Sequence, residues 1–285
     1  MGVFSDVLLV TDYDDTLTGP GAVPKEPGGK SREAVIPQAN INALEAFVKE
    51  GGLFTIASGR PKLFYESVIA PKIRPNAPLI LSNGAYLYDA QKGEDVMVRP
   101  LPDTAKKAAA ECMKLFPGVT IEAHRTDTVC VIHCAPWDVQ HRHMMGFATG
   151  DIESFEMPWL KLLFLGEHKE ITALMSYLAQ KYPEMDGVES VPVVCELQAA
   201  GVTKGNAARW LAQHLGRRKL VCIGDAPNDL TMLEEADYAF VAQSGNEAVK
   251  AMGFRIAAPS RVGTVADAIT QMRAILREEE RHAAL

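Results

Sequence analysis

The stretch Val7-Leu8-Leu9-Val10-Thr11-Asp12-Tyr13-Asp14-Asp15-Thr16 decides how the rest of the chain is read. Four apolar residues running straight into an acidic cluster have the form of a buried parallel strand with reactive groups at its carboxyl end. The same form recurs where Leu53-Phe54-Thr55-Ile56-Ala57 meets Ser58-Gly59-Arg60, and where Val221-Cys222-Ile223-Gly224 meets Asp225. Between the first two, residues 37–50 place Ile41, Leu44, Phe47 and Val48 at helical spacing and stop at Gly51-Gly52, as an amphipathic helix does. Residues 78–82 add a third apolar strand. Strand, helix and strand in this order predict an α/β fold, a doubly wound and mostly parallel sheet.

The rhythm changes after Gly84. Residues 86–88 and 96–98 flank a turn at Gln91-Lys92-Gly93 and predict a hairpin. A helix over 102–116, strands over 119–122 and 128–134, a polar stretch through Gly150, a strand over 161–165, a helix over 169–181 and a strand over 191–197 complete an α+β module. The α/β pattern then resumes with a helix over 205–215, a strand over 220–223, a helix over 229–235 and a strand over 238–242. A last helix, 265–276, spaces Val265, Ile269, Met272 and Leu276 on one face, and Glu278 to Arg281 reads as a solvated end. The expected organisation is one core, residues 1–84 and 200–285, interrupted by an inserted α+β domain at 85–199. The Gly- and Pro-rich loop from Gly19 to Gly29 has no assignable role, and there is no internal repeat.

Composition bounds the function. The chain has 285 residues, 47% hydrophobic and 23% charged, an ordinary globular balance with enough length for a large core. A net charge of -7 with no long basic run speaks against nucleic acid or an anionic membrane as partner. It leaves room for a small anionic ligand at a locally positive site. No apolar run approaches the roughly 18 residues of a membrane span. Acidic residues appear at Asp6 and Asp12, so no basic segment precedes a signal-peptide core, and Met1-Gly2 lacks the Ser or Thr that myristoylation wants at position 6. There is no Asn-x-Ser/Thr sequon. The five cysteines are an odd number set in apolar segments and read as reduced, buried thiols. The expectation is a soluble cytoplasmic protein of unspecified oligomeric state.

In open α/β sheets ligands bind beyond the carboxyl ends of the strands. Asp12, Ser58 and Asp225, far apart in sequence, are therefore expected at one rim, joined by Lys204 just before the 205–215 helix, whose N-terminus favours anions. Asp12-Tyr13-Asp14-Asp15-Thr16, Ser58-Gly59-Arg60, Lys204-Gly205 and Gly224-Asp225-Ala226-Pro227-Asn228-Asp229 together resemble the four motifs of haloacid dehalogenase (HAD) superfamily phosphatases. More narrowly, the chain resembles the Cof-type branch, whose cap domain is inserted between the second and third motifs. Asn83-Gly84-Ala85 before the insertion, Glu196 and Gly201-Val202-Thr203-Lys204-Gly205 after it, and Gly263-Thr264-Val265 near the end also match.

The resemblance implies a Mg²⁺-dependent phosphatase acting on a small phosphorylated metabolite, with a sugar phosphate as the leading class. Asp12 is the implied nucleophile, forming an aspartyl-phosphate, and Asp14 the group that protonates the leaving alcohol and then activates water. Thr16 fixes the loop. Ser58 donates to a phosphoryl oxygen and Lys204 supplies a compact positive charge. Ser58, Gly59, Arg60, Asn83 and Lys204 form the implied substrate-binding set. Asp12, Asp225 and the Asp14 main-chain carbonyl hold the metal, with hard oxygen ligands suited to Mg²⁺. Asn228 and Asp229 either ligate it or orient its waters or Lys204. One departure from the pattern is Asp15, where Gly is usual; a side chain there must fit a turn that Gly enters more easily, although Asp tolerates unusual backbone angles.

Blander readings stand beside these. Arg60 is as readily structural as substrate-binding, and Asn83 can contact substrate or only cap a turn. Cys130, His133, Cys134, His141 and His143 suggest zinc, but 128–134 alternates like a strand, which sends His133 and Cys134 to opposite faces. His124, Arg125, Arg142 and Lys161 could line a cap surface facing substrate or be ordinary surface charge. Gly201-Val202-Thr203-Lys204-Gly205 is not a P-loop, because the spaced glycines are absent. Rival functions are a phosphomutase or a dedicated disaccharide-phosphate phosphatase on the same core, and a non-catalytic protein that binds a phosphorylated ligand.

Overall fold

The computed structural model describes residues 2–20, 35–138 and 148–283. Its strands are β1 (Val7–Asp12), β2 (Leu53–Ala57), β3 (Leu79–Leu81), β4 (Tyr86–Asp89), β5 (Glu94–Val98), β6 (Thr120–His124) and β7 (Val129–His133). Then come β8 (Ala148–Thr149), β9 (Lys161–Leu165), β10 (Met185–Val191), β11 (Val194–Ala199), β12 (Lys219–Gly224), β13 (Tyr238–Ala242) and β14 (Arg255–Ala257). The helices are α1 (Gln38–Lys49), α2 (Lys62–Phe64), α3 (Thr104–Leu115), α4 (His168–Lys181), α5 (Lys204–His214), α6 (Leu230–Glu235), α7 (Glu247–Lys250) and α8 (Thr264–Ala283).

The first sheet has eight strands in the order β14-β13-β12-β1-β2-β3-β4-β5. From β14 to β3 every pairing is parallel. The apolar run of β1 is explained by burial on both faces. Val7 and Leu9 join Leu44 and Phe47 of α1 and Ile269 and Met272 of α8, whereas Leu8 and Val10 join Ala208 and Leu211 of α5. This is the doubly wound α/β core that the strand pattern predicts.

Two boundaries differ from expectation. The hairpin β4–β5, expected in the insertion, extends the core sheet instead: β4 pairs antiparallel with β3, setting Leu79 against Tyr88 and Leu81 against Tyr86. Tyr86 and Leu87 are fully buried there. The segment that builds the second sheet therefore starts after Val98, not at residue 85. The last helix, expected over 265–276, continues to Ala283; residues 278–281 are helical and solvent-exposed, the solvated end of that helix.

The second sheet runs β10-β11-β9-β6-β7-β8. The strand expected over 191–197 is the second arm of a hairpin whose first arm, β10, went unread. Asp186, Gly187 and Glu189 give β10 poor strand propensity, and an edge position lets it survive them. One face of this sheet is apolar: Ile121, Ala123, Leu162, Phe164, Cys195 and Leu197 pack with Ala105 and Cys112 of α3 and Ile171 and Leu174 of α4. The alternate positions Glu122, His124, Lys161, Glu196 and Gln198 are polar, yet none is more than 6% exposed. Two of them, Lys161 and Glu196, contact Gly59 and Asn83 of the core, so this sheet meets the core through its polar face as a cap.

The zinc reading finds no support among the described residues. Cys130 lies in the apolar core of the cap, and His133 contacts the Pro117 carbonyl oxygen. His141, Arg142 and His143, and positions 21–29 of the Gly/Pro-rich region, lie outside the described residues. All five cysteines are free. Among the described residues no helix is long and apolar enough to cross a membrane.

The approach of α5 to α6 brings part of the site together and can be tested. A Cβ on Gly205 would stand 2.1 Å from the Thr231 carbonyl oxygen. Alanine would gain about 1 kcal/mol in helix propensity, but the clash is with backbone that cannot move without parting the helices. Gly205→Ala is expected to lose roughly 1–3 kcal/mol in urea unfolding; an unchanged midpoint would contradict the close packing.

Candidate active site

The parallel register sets the chemistry at one level. Thr11 pairs with Ile223 and Asp12 with Ala57, so Asp12, Ser58 and Asp225 leave their strands side by side. β1 lies between β2 and β12, and the chain reaches β12 only after building the other side of the sheet and the cap. That reversal opens a crevice beyond the strand ends.

Lys204 closes the crevice floor. It is the first residue of α5, after Thr203, whose hydroxyl accepts from Asn206 N at 3.1 Å as an N-cap. Its ammonium, 1% exposed, donates to Asp12 Oδ1 at 2.6 Å and to Asp229 Oδ1 at 2.7 Å. Asp229 Oδ2 accepts from the main-chain N–H groups of Asp225 (2.9 Å) and Ala226 (3.1 Å). Both Asp229 oxygens are thus hydrogen-bonded, one of them to Lys204. Thr16 Oγ1 donates to Asp225 Oδ1 at 2.6 Å, tying the first acidic loop to the last. Asn228 is partly exposed on the same turn.

One carboxylate oxygen from each of Asp12, Asp225 and Asp229 can lie within 4.8 Å of the others. Burial pushes the Asp12 carboxyl well above its ordinary range; Lys204 opposes this, while Asp229, Asp225 and Asp14 add to it. Burial, and then Asp229, push Asp225 up to about 7. Burial alone would lower Lys204, but Asp12 and Asp229 hold it above its ordinary value. Three carboxylates cluster beside one ammonium, which pairs with two of them. A hard divalent cation fits the carboxylate oxygens of Asp12 and Asp225 in that cluster and would relieve the excess negative charge.

The second loop supplies donors. Ser58 Oγ accepts from Arg60 N at 3.1 Å, which leaves its hydroxyl proton free to be donated outward. The Arg60 side chain meets Asp14 of the first loop. Its Nε and Nη2 donate to Asp14 Oδ2 and Oδ1 at 3.0 and 3.1 Å, and its guanidinium stacks 4.4 Å above the Phe64 ring. The fork locks the outer acidic side chain in one orientation. Asp15, in the usual Gly position, adopts φ 58°.

Asn83 likewise serves the cap contact: its Nδ2 donates to Glu196 Oε2 at 2.5 Å. Lys161 Nζ donates to Gly59 O at 2.6 Å and to Glu196 Oε1. Gly59 lies where a Cβ would be 3.0 Å from both Glu196 oxygens. In the sequence Lys161 is one of several charged residues of the insertion, and Glu196 carries only its match to the family pattern. The available signal was their place in apolar strands, at the alternate positions that turn away from the cap core.

A family model described as haloacid dehalogenase-like hydrolase matches residues 9–269. The chain is similar to the 5-amino-6-(5-phospho-D-ribitylamino)uracil phosphatase YcsE of Bacillus subtilis, with 22% identity over 255 residues, covering 85% of this chain and 86% of that protein. Its fold matches the HAD subclass IIB sugar phosphatase BT4131, with TM-score 0.75 and 22% identity over 93% of this chain and 98% of that one. It also matches TM0651 from Thermotoga maritima, with TM-score 0.72 and 22% identity over 93% and 96% of the two chains.

The crowded carboxylates predict a pH signature. Because the Asp225 pKa is raised on folding, the folded state binds more protons than the unfolded state between about pH 4 and 7, and stability falls as pH rises through that window. Chelator-treated protein is therefore expected to melt at higher temperature at pH 5 than at pH 8. Asp225→Asn should flatten that difference, and Mg²⁺ at pH 8 should raise the melting temperature of the wild type more than that of the variant. Equal responses of the two proteins would contradict a cation site at Asp225.

Proposed function

The chain belongs to the haloacid dehalogenase-like hydrolase family and is a phosphatase, and from that premise we propose that it hydrolyses a small sugar phosphate through an aspartyl-phosphate on Asp12, with Mg²⁺ as cofactor. The observation that carries this reading is the contact of Lys204 with Asp12 Oδ1, beside Asp225 and within one crevice with Ser58. Lys204 engages one Asp12 oxygen and leaves Oδ2 to attack phosphorus. The Ser58 hydroxyl and the Lys204 ammonium donate to the phosphoryl oxygens, where charge builds as the ester bond breaks. Asp14, once turned from the Arg60 fork toward the ester and carrying a proton, gives that proton to the leaving alcohol oxygen. In the second half it takes a proton from the water that attacks the aspartyl-phosphate, returning Asp12 and releasing phosphate.

Asp12, Asp225 and the Asp14 main-chain carbonyl would hold Mg²⁺, which when bound supplies charge neutralisation between carboxylates and phosphate. Asp229 keeps Lys204 pointed at Asp12, and Thr16 keeps Asp225 turned inward. The cap covers the crevice and keeps bulk water from the intermediate. A sugar or polyol leaving group is supported by the cap's buried polar face and by the phosphoribityl substrate in the name of the YcsE relative.

Asp12→Asn is expected to lower phosphate release by roughly 10⁴-fold or more while the protein stays folded, since the Asn amide oxygen can still accept from Lys204 and Asp229 remains as the charged partner of that ammonium. Full activity in that variant would refute the nucleophile. A screen of sugar phosphates, nucleotides and cofactor phosphates with Mg²⁺ tests the substrate class. Isomerised ester without net inorganic phosphate would identify a mutase. Tight binding with no turnover of any ester would identify a non-catalytic binding protein.

A further inference from the structure

We propose that Lys161 of the cap is a positioning residue for the phosphoryl site: by holding the Gly59 carbonyl it fixes the Gly59–Arg60 peptide, and through that peptide the Ser58 hydroxyl. This rests on the reading of Ser58 as a donor to the phosphoryl group.

The geometry is a chain of contacts through one rigid unit. The carbonyl of Gly59 and the N–H of Arg60 are opposite ends of the same planar peptide. Lys161 Nζ donates to the carbonyl end at 2.6 Å, and the N–H end donates to Ser58 Oγ at 3.1 Å. Rotating that plane alters both bonds together. A charged donor at the carbonyl also polarises the N–H, so the two hydrogen bonds reinforce each other. Filling an Oγ lone pair in this way turns the Ser58 O–H outward, toward the crevice.

An external anchor is needed because residue 59 is glycine. Glu196 and Asn83 approach so closely that a Cβ would stand 3.0 Å from both Glu196 oxygens and 3.1 Å from Asn83 Oδ1, and would fit only if those side chains gave way by a few tenths of an ångström. The glycine that fits there also frees the backbone to rotate. The anchor itself is rigid. Lys161 is 1% exposed, starts β9, and is paired with Glu196 on neighbouring β11. Glu196 is in turn gripped by Asn83 Nδ2 from the core, and Asn83 N donates to Ser58 O at 3.1 Å. Two cap side chains therefore clamp the serine loop from both ends. The correct Ser58 geometry exists only while the cap sits on the core, which couples catalysis to closure.

Lys161→Met alone would leave Glu196 buried without its cation, so the test is the charge-neutral double variant Lys161→Met/Glu196→Gln. It is assayed in the Ser58 and Ser58→Ala backgrounds, with p-nitrophenyl phosphate and with the sugar phosphate that the wild type turns over fastest. With Ser58 present, kcat is expected to fall roughly 10- to 100-fold, by the same factor for both esters and with little change in KM. In the Ser58→Ala background the further loss should be less than about twofold, because the element being positioned is gone. An undiminished further loss in that background would overturn the proposal. So would a loss confined to the sugar phosphate, which would mean that Lys161 touches the leaving group. If the double variant does not fold, Lys161→Gln/Glu196→Gln, which retains a neutral donor, serves the same comparison. Full activity in Ser58→Ala alone would remove the premise about Ser58, whatever the Lys161 variants do.

Discussion

The rim of this protein depends on one buried ammonium. Lys204 stands between Asp12 and Asp229 with almost no solvent contact. Its position at the start of α5 is wrong for the helix dipole by about 0.3–1 kcal/mol, and burial of the charge opposes it further. Two charge-assisted hydrogen bonds outweigh both. Removing one member of such a buried pair typically costs about 3–5 kcal/mol, so the contact ties α5, β1 and the turn before α6 into one geometry. Gly205 is part of the same device. Only a residue without a Cβ lets α5 approach the Thr231 backbone closely enough for Lys204 to reach Asp229.

The ammonium does not balance the site. Asp12 and Asp229 contact it and Asp225 lies beside them, and burial and mutual repulsion raise the proton affinity of Asp12 and Asp225. Stability for this arrangement comes from elsewhere, chiefly from β1 and β12, which are buried on both faces and hold the carboxylates where they would not settle unaided. A pocket kept short of positive charge is suited to take up a cation and then an anionic ester. The polar face of the cap follows the same logic at lower charge. Lys161 and Glu196 neutralise each other, so the cap can press on the core without adding to the imbalance.

Much of this was legible because it is local. An apolar run ending in Asp or Ser states both the strand and the rim, and this carries Asp12, Ser58 and Asp225; the glycines and apolar spacing around Lys204 announce the helix behind it. What was not legible depends on partners far away in sequence. Nothing in residues 86–98 says which sheet the hairpin joins, because its alternation suits either; β3 decides by offering a free edge. β10 lacks an apolar face because it is an edge strand. Arg60 follows a Ser-Gly turn and looks aimed at substrate, but Asp14, 46 residues away, gives it a bidentate partner. The roles of Asn83 and Glu196 stay hidden for the same reason, since each is the other's explanation across the cap boundary.

Strain is distributed in the same selective way. Among the described residues the non-glycine positions with left-handed backbone are Asp15, Ser82 and Asn83. Such a residue costs on the order of 1–3 kcal/mol and persists only where its surroundings over-determine it. Here the pins are visible: Asp15 N donates to Thr18 Oγ1, Ser82 N to Arg60 O, and Asn83 N to Ser58 O. The strained residues thus hold the two loops that frame the crevice. At position 15 glycine would meet the backbone demand without strain, but it would also remove a carboxylate. Asp15 raises the proton affinity of Asp225, so in this chain the residue that supplies the turn also deepens the negative potential that a metal ion would answer.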